Sequence, residues 1–96
     1  MKVRFLTFAQ QELDDAVLWY NRQAEGLGQE FLDELDRTVR CTASFFLSCP
    51  EIEPGIRRGL VARFPYGVIY GVDDDTIVVI AIAHLHRRPR YWIDRI

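Results

Sequence analysis

The sequence predicts an α+β fold of order β-α-α-β-β-β, with a four-stranded, mostly antiparallel sheet and an αα-hairpin packed on one face. Three observations carry this. Residues 63–92, RFPYGVIYGVDDDTIVVIAIAHLHRRPRYW, read as two strands, a tight acidic turn and an aromatic-basic tail. Residues 8–46 hold two apolar stripes at helical spacing, interrupted by Gly26-Leu27-Gly28. Ahead of them, Val3 and Phe5 alternate with Lys2 and Arg4, the pattern of a short strand. At 96 residues the chain is one domain, 1–96, with a core small enough for one sheet and one helical layer.

The first strand is Lys2–Leu6, too short to stand alone, so it must join the main sheet. Thr7-Phe8-Ala9-Gln10 has the spacing of a capping box, with Thr7 as N-cap and Gln10 at N3. The first helix then runs to about Ala24 on a stripe of Leu13, Ala16 or Val17, Tyr20 and Ala24. Glu12, Asp14 and Asp15 lie near its positive end. Trp19 and Tyr20 are adjacent and cannot both face the core, so one packs and the other lies at the edge.

The link around Gly26-Leu27-Gly28 is short enough to make the two helices antiparallel. The second helix spans about Gln29 to Phe46 on Phe31, Leu32, Leu35, Val39, Ala43 and Phe46, and Pro50 stops it. Glu51–Gly55, with Pro54-Gly55, reads as a loop. Strands follow at Arg57–Arg63, Tyr66–Val72 and Thr76–His84, separated by Pro65 and by the turn Asp73-Asp74-Asp75. Their short links predict an antiparallel meander. The last strand is apolar on both sides, Ile77, Val79, Ala81 and Ala83 against Val78, Ile80 and Ile82. One side meets the helices. The other needs cover from the C-terminal tail, a second subunit or a partner chain.

Charge divides the chain. Residues 1–55 carry five Lys/Arg against ten Asp/Glu, and residues 56–96 carry seven Arg against four Asp. An arginine-rich end of the sheet suits an acidic partner, while the net charge of -2 lacks the phosphate attraction of a general nucleic-acid binder. Cys41 and Cys49 are eight residues apart. On a continuous helix that is about 12 Å, beyond disulfide reach, so free thiols in a reducing compartment are expected. No signal peptide or membrane span is expected, and the reading is a soluble, cytoplasmic protein.

Three segments in order carry a resemblance. Leu13–Phe31, with Ala16, Trp19-Tyr20, Gly26-Leu27-Gly28 and Phe31, looks like the "wYe…glg..F" segment of the RelE/ParE toxin superfamily. Arg63-Phe64-Pro65-Tyr66 through Tyr70 looks like its "RfPy.i.Y" segment, and His84-x-x-Arg87-x-Pro89-x-Tyr91-Trp92 like its "H..R.P.YW" ending. The resemblance spans nearly the whole chain. It implies a toxin of a type II toxin–antitoxin or plasmid-stabilisation system, neutralised by an antitoxin whose extended segment wraps it. Assembly with that antitoxin as a hetero-oligomer, or a homodimer, would follow.

The superfamily divides by chemistry. ParE-like members inhibit DNA gyrase, whereas RelE-like members cleave messenger RNA in the ribosome and are usually strongly basic. RelE-like chains commonly carry an arginine after the aromatic of the third-strand motif, where this chain has Gly67 after Tyr66. Residues 56–96 contain no lysine. The resemblance thus points to the ParE-like branch, acting by protein binding. The alternatives are a ribosome-dependent endoribonuclease and a non-toxic binding module of the same fold. A nuclease would use His84 or Tyr91 as acid or base, with Arg87 and Arg63 on the phosphate. Under a binding reading Arg63, Arg87, Arg88, Arg90, Tyr91 and Trp92 form the surface for target or antitoxin. No cofactor is expected. His84 and His86 have no nearby Asp, Glu or Cys in sequence to complete a metal site, and the three consecutive Asp side chains of the turn diverge.

Overall fold

The computed structural model describes residues 1–96. Its elements are β1 (Lys2–Phe5), α1 (Thr7–Gln23), α2 (Leu27–Ser44), β2 (Glu51–Glu53), β3 (Ile56–Leu60), β4 (Tyr66–Asp73), β5 (Thr76–His84) and a 3₁₀ turn, Ile93–Arg95. The sheet has five strands in the order β1-β5-β4-β3-β2. β1 pairs parallel to β5, and every other pair is antiparallel. No helix is long and apolar enough to cross a membrane.

The fifth strand is the first departure from the sequence reading. Glu51–Glu53 pairs with β3 through a turn at Gly55, whose φ of 76° is the left-handed region that glycine enters freely. Pro54-Gly55 therefore marks a hairpin tip rather than a loop. The strand expected over Arg57–Arg63 correspondingly starts at Ile56 and ends at Leu60. Beyond it the chain turns, with Arg63 at a φ of 71°.

Helix α1 starts at Thr7, and its N-cap is Leu6, with no side-chain cap hydrogen bond. The expected capping box does not form. The Leu6 N–H donates to the Val79 carbonyl at 3.0 Å, so the β1–β5 ladder runs into the first helical turn and leaves no free cap position. Gln10 donates instead to Asp14 at 3.0 Å.

Helix α2 begins at Leu27, two residues earlier than predicted. The Gly28 N–H donates to Asn21 Oδ1 of α1 at 2.8 Å, so the preceding helix supplies the N-terminal partner. A Cβ at Gly28 would lie 2.5 Å from the Val17 carbonyl oxygen, and only glycine permits this approach. The helix ends at Ser44. The chain then folds back, and both cysteines are free.

The main core lies between the helices and one face of the sheet. Ala9, Leu13, Ala16, Tyr20, Phe31, Leu35 and Val39 meet Val61, Val68, Tyr70, Ile77, Val79 and Ile82. Tyr20 is the inward member of its pair and Trp19 is 54% exposed. Ala24, expected on the stripe, is exposed. A second core occupies the opposite face, with Ile56, Ile69, Ile80, Ala81, Ala83 and the tail residue Trp92. Cover for that face comes from the C-terminal tail.

The predicted alternation of β5 fails at one point. Ile69 pairs with Ala81 and Tyr70 with Val79, so Ile80 is an extra residue opposite β4. Such a bulge reverses the sidedness of everything beyond it. Ile77 and Val79 belong to the helix-side core, as does Ile82, while Ile80, Ala81 and Ala83 face the second core. The shift also brings His84 to the helix side, against Tyr66.

Candidate functional site

Two clefts flank the end of β5, on opposite faces of the sheet, and His84 and Arg87 line both. The larger, about 570 Å³, lies between α1 and the β4–β5 edge. Glu12, Asp15, Ala16, Trp19 and Tyr20 supply the helical wall; Pro65, Tyr66, Ile82, His84 and Arg87 supply the other. Residues 12, 15, 16 and 19 are at helical spacing and share one side of α1. An aromatic cluster lies beneath the cleft. The rings of Tyr20, Phe31, Phe64 and Tyr66 sit with centroids 5.0 to 6.2 Å apart, mostly edge to face. Burial pushes the Tyr20 and Tyr66 hydroxyls above the ordinary phenol range.

Glu12 organises the tail beside this cleft. One carboxylate oxygen accepts from Arg95 at 2.8 Å and from the Ile82 backbone N–H at 3.1 Å. The other accepts from the Tyr91 hydroxyl at 2.7 Å and from Arg95 and Arg87 at 3.1 and 3.4 Å. Arg95 also donates to the Ile80 carbonyl at 3.1 Å. β1 ends at Phe5, so β5 has no strand neighbour beyond Val79 on that side. Glu12 and Arg95 satisfy part of this bare edge.

The smaller cleft, about 240 Å³, lies on the second face beneath the tail. Arg58, Arg87, Arg88 and Arg90 line it together with Glu53, Tyr91 and Trp92. Arg90 is paired with Glu53. The Arg58 stem crosses Gly67, where a Cβ would come within 3.0 Å of its Cγ and Cδ.

The sequence-predicted residues therefore divide. His84, Arg87 and Tyr91 converge. Tyr91 is bound to Glu12, and burial, reinforced by that hydrogen bond, raises its hydroxyl above the ordinary range. Such a phenol is a poor proton acceptor near neutral pH. Arg87 lies over the Tyr91 ring, 3.7 Å from its centroid. Arg88 and Arg90 border the smaller cleft. Arg63 joins neither cleft; it pairs with Glu30 of α2 at 2.8 Å. Trp92 is only 3% exposed, so it covers the second core and offers almost no contact surface. Glu12, Arg58 and Arg95 escaped the sequence reading. Glu12 looked like one of several acids favouring the helix dipole, and nothing in one sequence ties it to residues about 80 positions away. No group of three or more His, Cys, Asp or Glu side chains is placed to hold a metal ion.

The profile of the family described as "ParE toxin of type II toxin-antitoxin system, parDE" matches residues 3–89. A solved chain of the chromosomal ParDE TA system from P. aeruginosa superposes with a TM-score of 0.76 at 18% identity. The alignment covers 90% of this chain and 97% of that one, a likeness of fold. A search of curated proteins finds no match.

Proposed function

The chain belongs to the ParE toxin family of type II toxin–antitoxin systems, and from that membership we propose that it acts in the cytoplasm by binding a target protein, DNA gyrase, and is neutralised by a cognate antitoxin docked in the larger cleft. The observation that carries this reading is the half-exposed Trp19 above a cleft walled by Tyr20, Pro65, Tyr66 and Ile82. Aromatic anchors around a concave apolar surface are what an amphipathic or extended peptide needs. Asp15, Glu12, His84 and Arg87 at its margins provide polar contacts of both signs.

The tail supports binding over RNA cleavage. Arg63 is turned onto Glu30, and Tyr91 and Arg87 are engaged by Glu12. The nuclease set of His84, Arg87, Tyr91 and Arg63 is thus incomplete at any one point. The ribonuclease reading keeps one supporting observation, the convergence of His84 and Arg87. Expression with and without the antitoxin encoded beside the gene tests the proposal. Growth arrest relieved by the antitoxin, with co-purification of the pair, is the expected result. The absence of both growth arrest and complex formation would contradict it.

A further inference from the structure

Arg58 Nε is buried and has no hydrogen-bond partner in the protein. A buried charged donor left without a partner is unfavourable, and an anion held by the accessible end of the same guanidinium would offset that cost. Its guanidinium makes no salt bridge, and neither does that of Arg88. Both line the smaller cleft, together with Arg87 and Arg90. Four arginines thus line one cavity whose lining holds a single carboxylate, Glu53, already engaged by Arg90, while Arg87 is engaged from the other cleft by Glu12.

We propose that this cleft is a binding site for one phosphate dianion, free or as a small phosphomonoester, with Arg58 at its floor and Arg88 at its mouth. Guanidinium forks match the oxygens of a tetrahedral phosphate and form charge-assisted hydrogen bonds with it. The cavity of about 240 Å³ is close to eight waters at ~30 Å³ each, room for a phosphate with a small attached group but not for a peptide helix. A nucleic-acid strand would require cations spaced along a track. Here the arginines line one small cavity, and Arg63, which could have extended a track, is held by Glu30. The site lies on the opposite face of the sheet from the larger cleft and shares only His84 and Arg87 with it, and neither Arg58 nor Arg88 lines that cleft.

Inorganic phosphate titrated into the folded chain at constant ionic strength, followed through the arginine Nε–H resonances, tests the assignment. The Arg58 Nε–H signal is expected to shift saturably, with a nucleoside monophosphate competing for the same site. Arg58→Met, which keeps the stem over Gly67, and Arg88→Gln, at an exposed position, are each expected to weaken binding about tenfold or more. Arg63→Gln is expected to leave it unchanged. Should Arg58→Met fail to fold, Arg88→Gln still decides. The proposal is overturned by a signal that does not saturate or by equal binding in the arginine variants. Preference for an unphosphorylated-end oligonucleotide with a steep salt dependence would also overturn it, in favour of a nucleic-acid track. Response to an acidic peptide but not to phosphate would do so in favour of a protein carboxylate.

Discussion

Glu12 and Arg95 are 83 residues apart in the sequence, and their side chains meet at 2.8 Å. Only about a sixth of either side chain is exposed, at 15% and 16%. This pair fastens the tail to the first helix, and through Ile82 and Ile80 it reaches the bare edge of β5. The tail in turn places Trp92 over the second core and Arg88 and Arg90 beside the smaller cleft.

Removing one partner of such a shielded pair strands the other. Glu12→Ala is expected to lower stability by on the order of 3 kcal/mol in urea unfolding. Arg63→Ala, which breaks a pair more than half exposed on both sides, is expected to change it by less than about 1 kcal/mol. Similar small effects from both would show that the tail is not held through Glu12.

Glycine in a helix costs up to about 1 kcal/mol relative to alanine, so propensity alone predicts that Gly28→Ala, in the first turn of α2, is neutral or stabilising. The structure predicts the opposite. The added methyl would meet the Val17 carbonyl oxygen at 2.5 Å and Asn21 at 2.6 Å, contacts that force α1 and α2 apart. A net loss of about 1–3 kcal/mol is expected, measured by thermal or urea unfolding. A rise in stability would mean that the helices are less closely packed than described.

Alkaline pH should expose the state of the tyrosines. Burial raises the Tyr70 and Tyr91 hydroxyls, helped by Cys49 and Glu12 respectively. A folded-state pKa above the unfolded value means that the native chain holds its protons longer. The linked stability is present below the unfolded value, near pH ~10, and is lost as pH rises toward the folded one. Ultraviolet titration should show tyrosinate forming later in the folded chain than in urea, and Tyr91→Phe should flatten the alkaline fall in stability. Coincident titration of folded and unfolded chains would contradict this.

Trp19 separates binding from folding. It is 54% exposed and packs edge to face on Tyr20, so Trp19→Ala is expected to lower stability by only about 1–2 kcal/mol, leaving the fold intact. At the mouth of the larger cleft it is expected to act as an interface anchor, and its loss should weaken the antitoxin complex by about 2 kcal/mol, close to thirtyfold. An unchanged affinity in calorimetry would move the antitoxin site elsewhere.

Local signals made the helices and the meander legible. The stripes of α1 and α2 and the acidic turn before β5 depend on near neighbours, which a sequence displays. The features that position the site do not. Whether Thr7 caps a helix depends on Leu6 already being committed to the carbonyl of Val79. The side on which His84 emerges depends on one extra residue, Ile80, whose pairing against β4 is a tertiary matter. Arg87 and Tyr91 could be found because they fall in one short motif. Their organiser, Glu12, sits on another element, in the second turn of α1, and has the same local signature as any acid on an exposed helix. Arg58 was hidden for the same reason, being one arginine among several until Gly67 gives its stem a place to lie.

Whether this toxin-family chain acts by binding a target protein is decided by adding the purified chain to a gyrase supercoiling reaction. Alongside it, ribosome-bound message is read for cleavage. Supercoiling is expected to be inhibited, with the inhibition reversed by the antitoxin and the message intact. Normal supercoiling with cleavage positioned at codons would contradict protein binding and return His84, Arg87 and Tyr91 to a catalytic role.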